Sequence, residues 1–298
     1  MINIPLIQCV PNFSEGRNKA TIQAVVDAAR AAPGVRLADW SADSDHNRLV
    51  LTLVGPPEPI LDICRTLTAL AVQRMDLTTH RGAHPRLGAL DVLPLVPLVG
   101  ITLGECAAWA RTLGRELAQA HGLPVFLYEA ASEAGLSLPF VRKEAFRSLE
   151  PDFGPPRPHP TAGACVVGTR EPLIAFNVNL ETGDVGVARA IARDVRGGGG
   201  GLVGVRALGL MLKSRGQAQV SMNVTRPGET SLAALVDYID GRALALGTQI
   251  SGTELIGALP GPSAFALIQD GLRGTLKPEQ VLWENWPGAT DRARAEGR

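Results

Sequence analysis

Residues 79–88 read Thr-His-Arg-Gly-Ala-His-Pro-Arg-Leu-Gly, a short stretch that holds two imidazoles and two guanidinium groups. Imidazole titrates near neutral pH, so His80 or His84 can accept and return a proton, and Arg86 can hold a carboxylate through a bidentate fork. The interspersed turn formers make the stretch a loop, with a plain surface loop as the alternative reading. His80 and His84 have the i, i+4 spacing of helical zinc ligands. Gly82 and Pro85 oppose a helix, however, the acid of H-E-x-x-H is missing, and no third ligand is evident beyond the acids of a nearby hairpin. No metal is expected.

Three further groups carry polar chemistry. Asp43, Asp45, His46, Asn47 and Arg48 lie in a turn between two expected strands, where turn chemistry alone accounts for Asp43 and Asn47. Residues 152–164, Asp-Phe-Gly-Pro-Pro-Arg-Pro-His-Pro-Thr-Ala-Gly-Ala, combine prolines that stiffen a loop with glycines that let backbone approach a flat ligand; a proline-rich linker is the alternative. Asn177 and Asn179 alternate with aliphatic residues, which puts two amides on one face of a strand, either toward a ligand or toward solvent. Five glycines at 197–201 lack the G-K-[ST] and preceding strand of a phosphate loop and read as a simple connection.

The elements that must position these groups follow from hydrophobic period. Strands are expected over Leu6–Val10, Val35–Trp40, Arg48–Val54, Leu87–Leu98 and Pro124–Tyr128. Helices are expected from Asn18, around Ile60–Ala71 and over Leu103–His121, with residues 138–162 a linker or binding loop. Farther on come a strand near Ala164–Leu180, a helix from Asp184, strands Val203–Leu212 and Gln217–Asn223, helix Leu232–Ala245, and a strand near Gln249–Ile256. Two β-α-β-β-α-β halves are the economical arrangement, and the stretch after Gly288 is expected to fray.

Composition narrows the class. At 298 residues the chain favours two domains, and 45% apolar with 19% charged residues suffices for a sizeable core. Twenty-nine basic residues balance 29 acidic ones, so no field favours a nucleic-acid partner. The four cysteines form no C-x-x-C pair and read as thiols in a reducing cytoplasm. Neither a signal peptide nor a membrane span is expected.

The stretches Cys9–Gly16 (CVPNFSEG), His84–Asp91 (HPRLGALD) and Leu173–Leu180 (LIAFNVNL) closely resemble motifs of the glutamate formiminotransferase family. The resemblance runs in family order from about Ile7 to Ala258 and takes in Asn47-Arg48, Glu105-Cys106 and Pro124–Tyr128. It implies an α+β fold of two ferredoxin-like (split βαβ) subdomains, residues 1–163 and 164–298, with antiparallel-rich sheets facing each other across a substrate groove in a cytoplasmic homodimer.

The implied activity moves the formimino group of N-formimino-L-glutamate to N5 of tetrahydrofolate, the co-substrate, in histidine degradation and one-carbon metabolism. No cyclodeaminase domain is expected. The family's catalytic histidine maps, through H-P-R, to His84. The candidate substrate-binding residues are Asp39, His46, Asn47, Arg48, His80 and Arg86, with Arg48 and Arg86 expected to hold carboxylates because of their closeness in sequence to His46 and His84. Folate binding maps to Gly154, Pro155, Thr161, Ala162, Gly163, Ala164, Asn177 and Asn179. Ser41 departs from the acid often found there in the family. The alternatives are a related transferase with another formimino or formyl donor, and a folate-binding protein without turnover.

Overall fold

The computed structural model describes residues 5–196 and 200–259; most of the glycine run and the stretch after Gly288 lie outside them. Contacts divide the chain into two compact units between Glu171 and Pro172.

The first unit contains β1 (Leu6–Cys9), β2 (Asn12–Phe13), α1 (Lys19–Ala31), β3 (Arg36–Asp43), β4 (Arg48–Gly55), α2 (Pro57–Arg74), β5 (Leu90–Val99), α3 (Leu103–His121), β6 (Val125–Glu129), α4 (Leu138–Glu144) and β7 (Cys165–Thr169). Both β1 and β2 pair antiparallel with β4 on one side and β5 on the other, the two halves of one line broken at Val10-Pro11. Pro11 has no N–H to give the ladder, which explains the break. With β3 on β4, the order β3-β4-β1-β5 is that of a split βαβ fold, and β7 and β6 extend it in parallel beyond β5.

Local chemistry sets these elements. Asn18 caps α1 by accepting from the amides of Ala20 and Thr21, and Ile22, Val25, Val26 and Ala29 form its buried stripe. Thr102 and Glu105 make a reciprocal capping box at α3, which ends on Gly122 in the left-handed conformation. Helices α1 to α3 cover one sheet face over a core that includes Phe13, Leu51, Leu53, Leu67, Leu93 and Leu113. A smaller core on Phe126, Tyr128, Val141 and Val166 brings α4 against the sheet as well.

The second unit is β8 (Ile174–Leu180), α5 (Val185–Val195), β9 (Val205–Leu212), β10 (Gln217–Val224), α6 (Leu232–Ala245) and β11 (Ile250–Ile256), a four-stranded antiparallel sheet in the order β11-β8-β10-β9. Phe176, Val178, Val220 and Met222 pack with α5 and α6, whereas Asn177, Asn179 and Gln219 alternate onto the other face.

The two-sheet mixed architecture is the expected one, with three differences. Residues 138–162 hold α4, whose seven residues are too few for a helical period to register in sequence. The expected strand over 164–180 is two strands interrupted near Glu171-Pro172, and its first half pairs within the first sheet. The first sheet is correspondingly wider than a bare split βαβ unit, with seven strands.

A Cβ on Gly88 would lie 1.8 Å from the carbonyl oxygen of Ala164, whereas one on Gly104 would have nothing nearer than 4.0 Å. Gly88→Ala is therefore expected to cost about 3 kcal/mol or more, or to block folding. Gly104→Ala, inside α3, should stabilise by up to about 1 kcal/mol. Urea denaturation of the two variants checks the contrast.

Candidate active site

The residues with chemistry in the first unit are organised around one carboxylate. The β2–β5 register places Phe13 opposite Leu90 and Asn12 opposite Val92, so Asp91 is the extra residue of a bulge. Bulges turn a side chain out of strict alternation. Asp91 is 0% exposed, and its Oδ2 accepts from Arg48 Nη1 at 2.9 Å and from Arg142 Nη2 at 2.5 Å. Its Oδ1 accepts the Leu87 amide at 2.6 Å and the Gly88 amide at 3.4 Å. The two guanidiniums outweigh the desolvation of the buried carboxyl and hold its pKa down at about 2. Arg48, 8% exposed, completes its bonding through Nε and Nη2 to Asn12 Oδ1.

The loop before β5 is clamped on three sides. Asn47, at φ 49° in a region asparagine tolerates, accepts the Gly16 amide on Oδ1 and donates from Nδ2 to the Arg81 carbonyl. Buried His80 donates through Nε2 to the Asn47 carbonyl, and the Ala83 amide bonds to Asp45. Arg86 reaches the His80 carbonyl at 3.1 Å. Gly82 lies so close to His46 that a Cβ would be 2.3 Å from its carbonyl oxygen. From the third side the amides of Ala89 and Ala164 bond to the carbonyls of Ala162 and Leu87, and Leu77 bonds to Thr161.

His84 sits at the turn of this loop, partly buried, with its ring centroid 6.2 Å from that of His46. Its Nδ1 is 2.7 Å from the Pro85 carbonyl, an acceptor, so Nδ1 carries the proton and Nε2 keeps a lone pair. Desolvation first, then the Arg48 and Arg142 guanidiniums, drive its pKa well below the usual imidazole value. The ring is a neutral base of fixed tautomer. His80 is likewise shifted down, by burial and by Arg86. Among the described residues no group of three His, Cys, Asp or Glu side chains is placed to hold a metal.

A formiminotransferase N-terminal subdomain model matches residues 6–170, and a formiminotransferase domain model matches residues 175–268. The chain is 41% identical over 266 residues to a glutamate formimidoyltransferase of Streptococcus pyogenes, covering 86% of this chain and 89% of that one. A glutamate formimidoyltransferase of Thermoplasma acidophilum is 35% identical, with 86% and 88% covered. The chain belongs to the formiminotransferase family. The formimidoyltransferase-cyclodeaminase of Sus scrofa is 39% identical, and the match spans half its length.

Within this formiminotransferase chain, the structure gathers His46, Asn47, Arg48, His80, His84 and Arg86 with Thr161, Ala162, Gly163 and Ala164 around the clamped loop. Asp39 stands on β3 opposite Thr52, on the same side of the strand as Ser41 and Asp43. Gly154, at φ 86°, packs against Leu123 and Pro124 beside Pro155, next to a cavity of about 380 Å³ lined by Arg115, Gln119, Asp152 and Phe153. Asn177 and Asn179 are buried in the second unit, where Asn179 and Gln219 bond each other and both reach Glu254, itself held by Arg215.

Two participants escaped the sequence reading. Asp91 closes the quoted H-P-R-L-G-A-L-D stretch, and its partnership with Arg48 crosses between strands that only the sheet brings together. Arg142 had no signal beyond its charge, because it lies on the short α4.

Two outcomes follow from this electrostatic arrangement. Asp91→Asn leaves two guanidiniums without their shared counter-charge and is expected to cost about 3–5 kcal/mol, read as a lowered urea midpoint. Folded His80 and His84 hold protons less tightly than unfolded imidazole, so below pH ~6.5 the unfolded state binds more protons and stability falls as the pH drops. The urea midpoint should decline from pH 7.5 to 5, and less so in His84→Asn; a flat profile would contradict a neutral His84.

Proposed function

We propose that the protein is a glutamate formimidoyltransferase that takes N-formimino-L-glutamate and tetrahydrofolate to L-glutamate and 5-formiminotetrahydrofolate. The observation that carries this reading is His84 itself: a neutral imidazole, its tautomer fixed by the Pro85 carbonyl, beside a cluster of arginines in a chain of this family. The transfer needs one group that takes a proton and gives it back, and two substrates that both bear carboxylates.

In the proposed course N5 of tetrahydrofolate attacks the amidine carbon, forming the N5–C bond and a tetrahedral intermediate. Nε2 of His84 takes the N5 proton. The intermediate collapses with cleavage of the bond from carbon to the glutamate nitrogen, which receives that proton as it leaves. Such proton transfer contributes about 10²–10⁴-fold, and the rest of the acceleration comes from holding two substrates together. The Arg48, Arg142 and Arg86 charges favour binding of anionic substrates, and Asn177 and Asn179 are the proposed amide contacts to folate.

A cytoplasmic homodimer acting in histidine degradation belongs to the same proposal. No helix among the described residues is long and apolar enough to cross a membrane.

The test follows 5-formiminotetrahydrofolate through acid conversion to its absorbing methenyl form. Wild type should turn over, and His84→Ala should lose about 10²–10⁴ in kcat while still binding tetrahydrofolate. A wild type that binds folate but leaves N-formiminoglutamate untouched would reject this donor, and other formimino and formyl donors would then be assayed in the same format.

A further inference from the structure

Two guanidiniums share the single carboxylate of Asp91, and no second acid side chain is bonded to either one among the described residues. The cluster thus carries a surplus positive charge next to His84, whose loop is fastened to the same carboxylate through the Leu87 and Gly88 amides. The two arginines are not equivalent. Arg48 is sealed in, with Nη1 on Asp91 and both Nε and Nη2 on Asn12. Arg86, the other arginine expected to hold a carboxylate, points its nitrogens at loop carbonyls.

Arg142 is the incompletely used member. It gives Nη2 to Asp91, its Nε is buried without a hydrogen-bond partner, and its side chain keeps 19% of its surface exposed. A buried N–H of a guanidinium without an acceptor is costly unless a ligand supplies one, and a carboxylate is the acceptor whose geometry fits a guanidinium edge.

We propose that Arg142 anchors the α-carboxylate of the formimino donor, through the guanidinium N–H groups that Asp91 leaves unused. This rests on the transferase reading above. The choice of donor over folate follows from the covalent chemistry: the α-carboxylate is attached to the carbon that bears the formimino nitrogen, so a carboxylate held beside His84 brings the amidine with it. The carboxylates of the folate tail are separated from N5 by the whole p-aminobenzoyl group. Asp91 then has a second task, since it fixes Arg142 through Nη2 and leaves the remaining N–H groups for substrate.

The test measures KM for N-formiminoglutamate and for tetrahydrofolate separately in wild type, Arg142→Ala and Arg142→Lys, and repeats the donor series with its α-carboxamide. Arg142→Ala should raise the donor KM about 10- to 100-fold and leave the tetrahydrofolate KM within about twofold. Wild type should discriminate against the α-carboxamide, and Arg142→Ala should not. Arg142→Lys guards against a folding defect: it keeps a charge for Asp91 but has no fork to span both carboxylates, so its discrimination should also shrink with an unchanged thermal midpoint. An unchanged donor KM, equal rises in both KM values, or discrimination that persists in both variants would overturn the anchor. Absence of wild-type turnover would instead sink the transferase reading.

Discussion

Everything in the first unit's polar cluster depends on the burial of Asp91. A lone carboxylate without exposure is expensive, and here the cost is offset by two guanidiniums and two backbone amides that converge from different elements. Those partners come from β4, from α4 and from the loop before β5, so satisfying one charge ties three segments together. The bulge in β5 makes this possible by turning Asp91 out of the regular alternation. Breaking any one of these contacts leaves the others buried and short of a partner, which couples the loop's position to the charge balance beneath it.

The loop is held by backbone more than by side chains. Gly82 and Gly88 bring it against the hairpin and against Ala164 at distances no Cβ could share, and Asn47 adopts a left-handed conformation that joins the Gly16 turn, the hairpin and Arg81. His80 acts as a strut here, with its Nε2 donating to the Asn47 carbonyl. His84, four residues along, likewise gives one ring nitrogen to a backbone carbonyl, that of Pro85, but its ring is only partly buried whereas that of His80 is buried. Two histidines in one short motif thus differ in access to a ligand, which is why His84 is the one proposed as the base.

Much of this could be read from the sequence. Asn18, Thr102 and Asp184 announce helix starts, and the alternation of aliphatic residues with Asn177 and Asn179 gives the two faces of β8. Pairing across sequence distance was not legible: nothing local to Arg48 or Asp91 says that a bulge will join them. Nor was α4, where seven residues under the Ser137 cap are too short for periodicity and Pro139 reads as a breaker, although proline is well tolerated in a first helical turn. The same limit hid Arg142. For Asn177 and Asn179 the alternation gave the right face of the strand, and the structure adds that the face is not bare: Gln219, Glu254 and Arg215 complete a hydrogen-bonded network on it.

The charge surplus at Asp91 also bears on the role proposed for His84. With no anion bound, the Arg48 and Arg142 charges and the loss of solvation make protonation of His84 unfavourable, so the ring is available as an acceptor but holds a proton poorly. A carboxylate placed on Arg142 cancels part of that field. Under the proposed mechanism the proton affinity of His84 would then rise when the donor is in place, which is when a proton must be taken from N5 and kept until the glutamate nitrogen leaves. A histidine left in its usual range would be partly protonated near neutral pH before any substrate arrived and to that extent useless as a base. In the proposed mechanism the arginine pair therefore has two effects that pull together: it favours the anionic donor electrostatically, and it keeps His84 unprotonated until that donor binds.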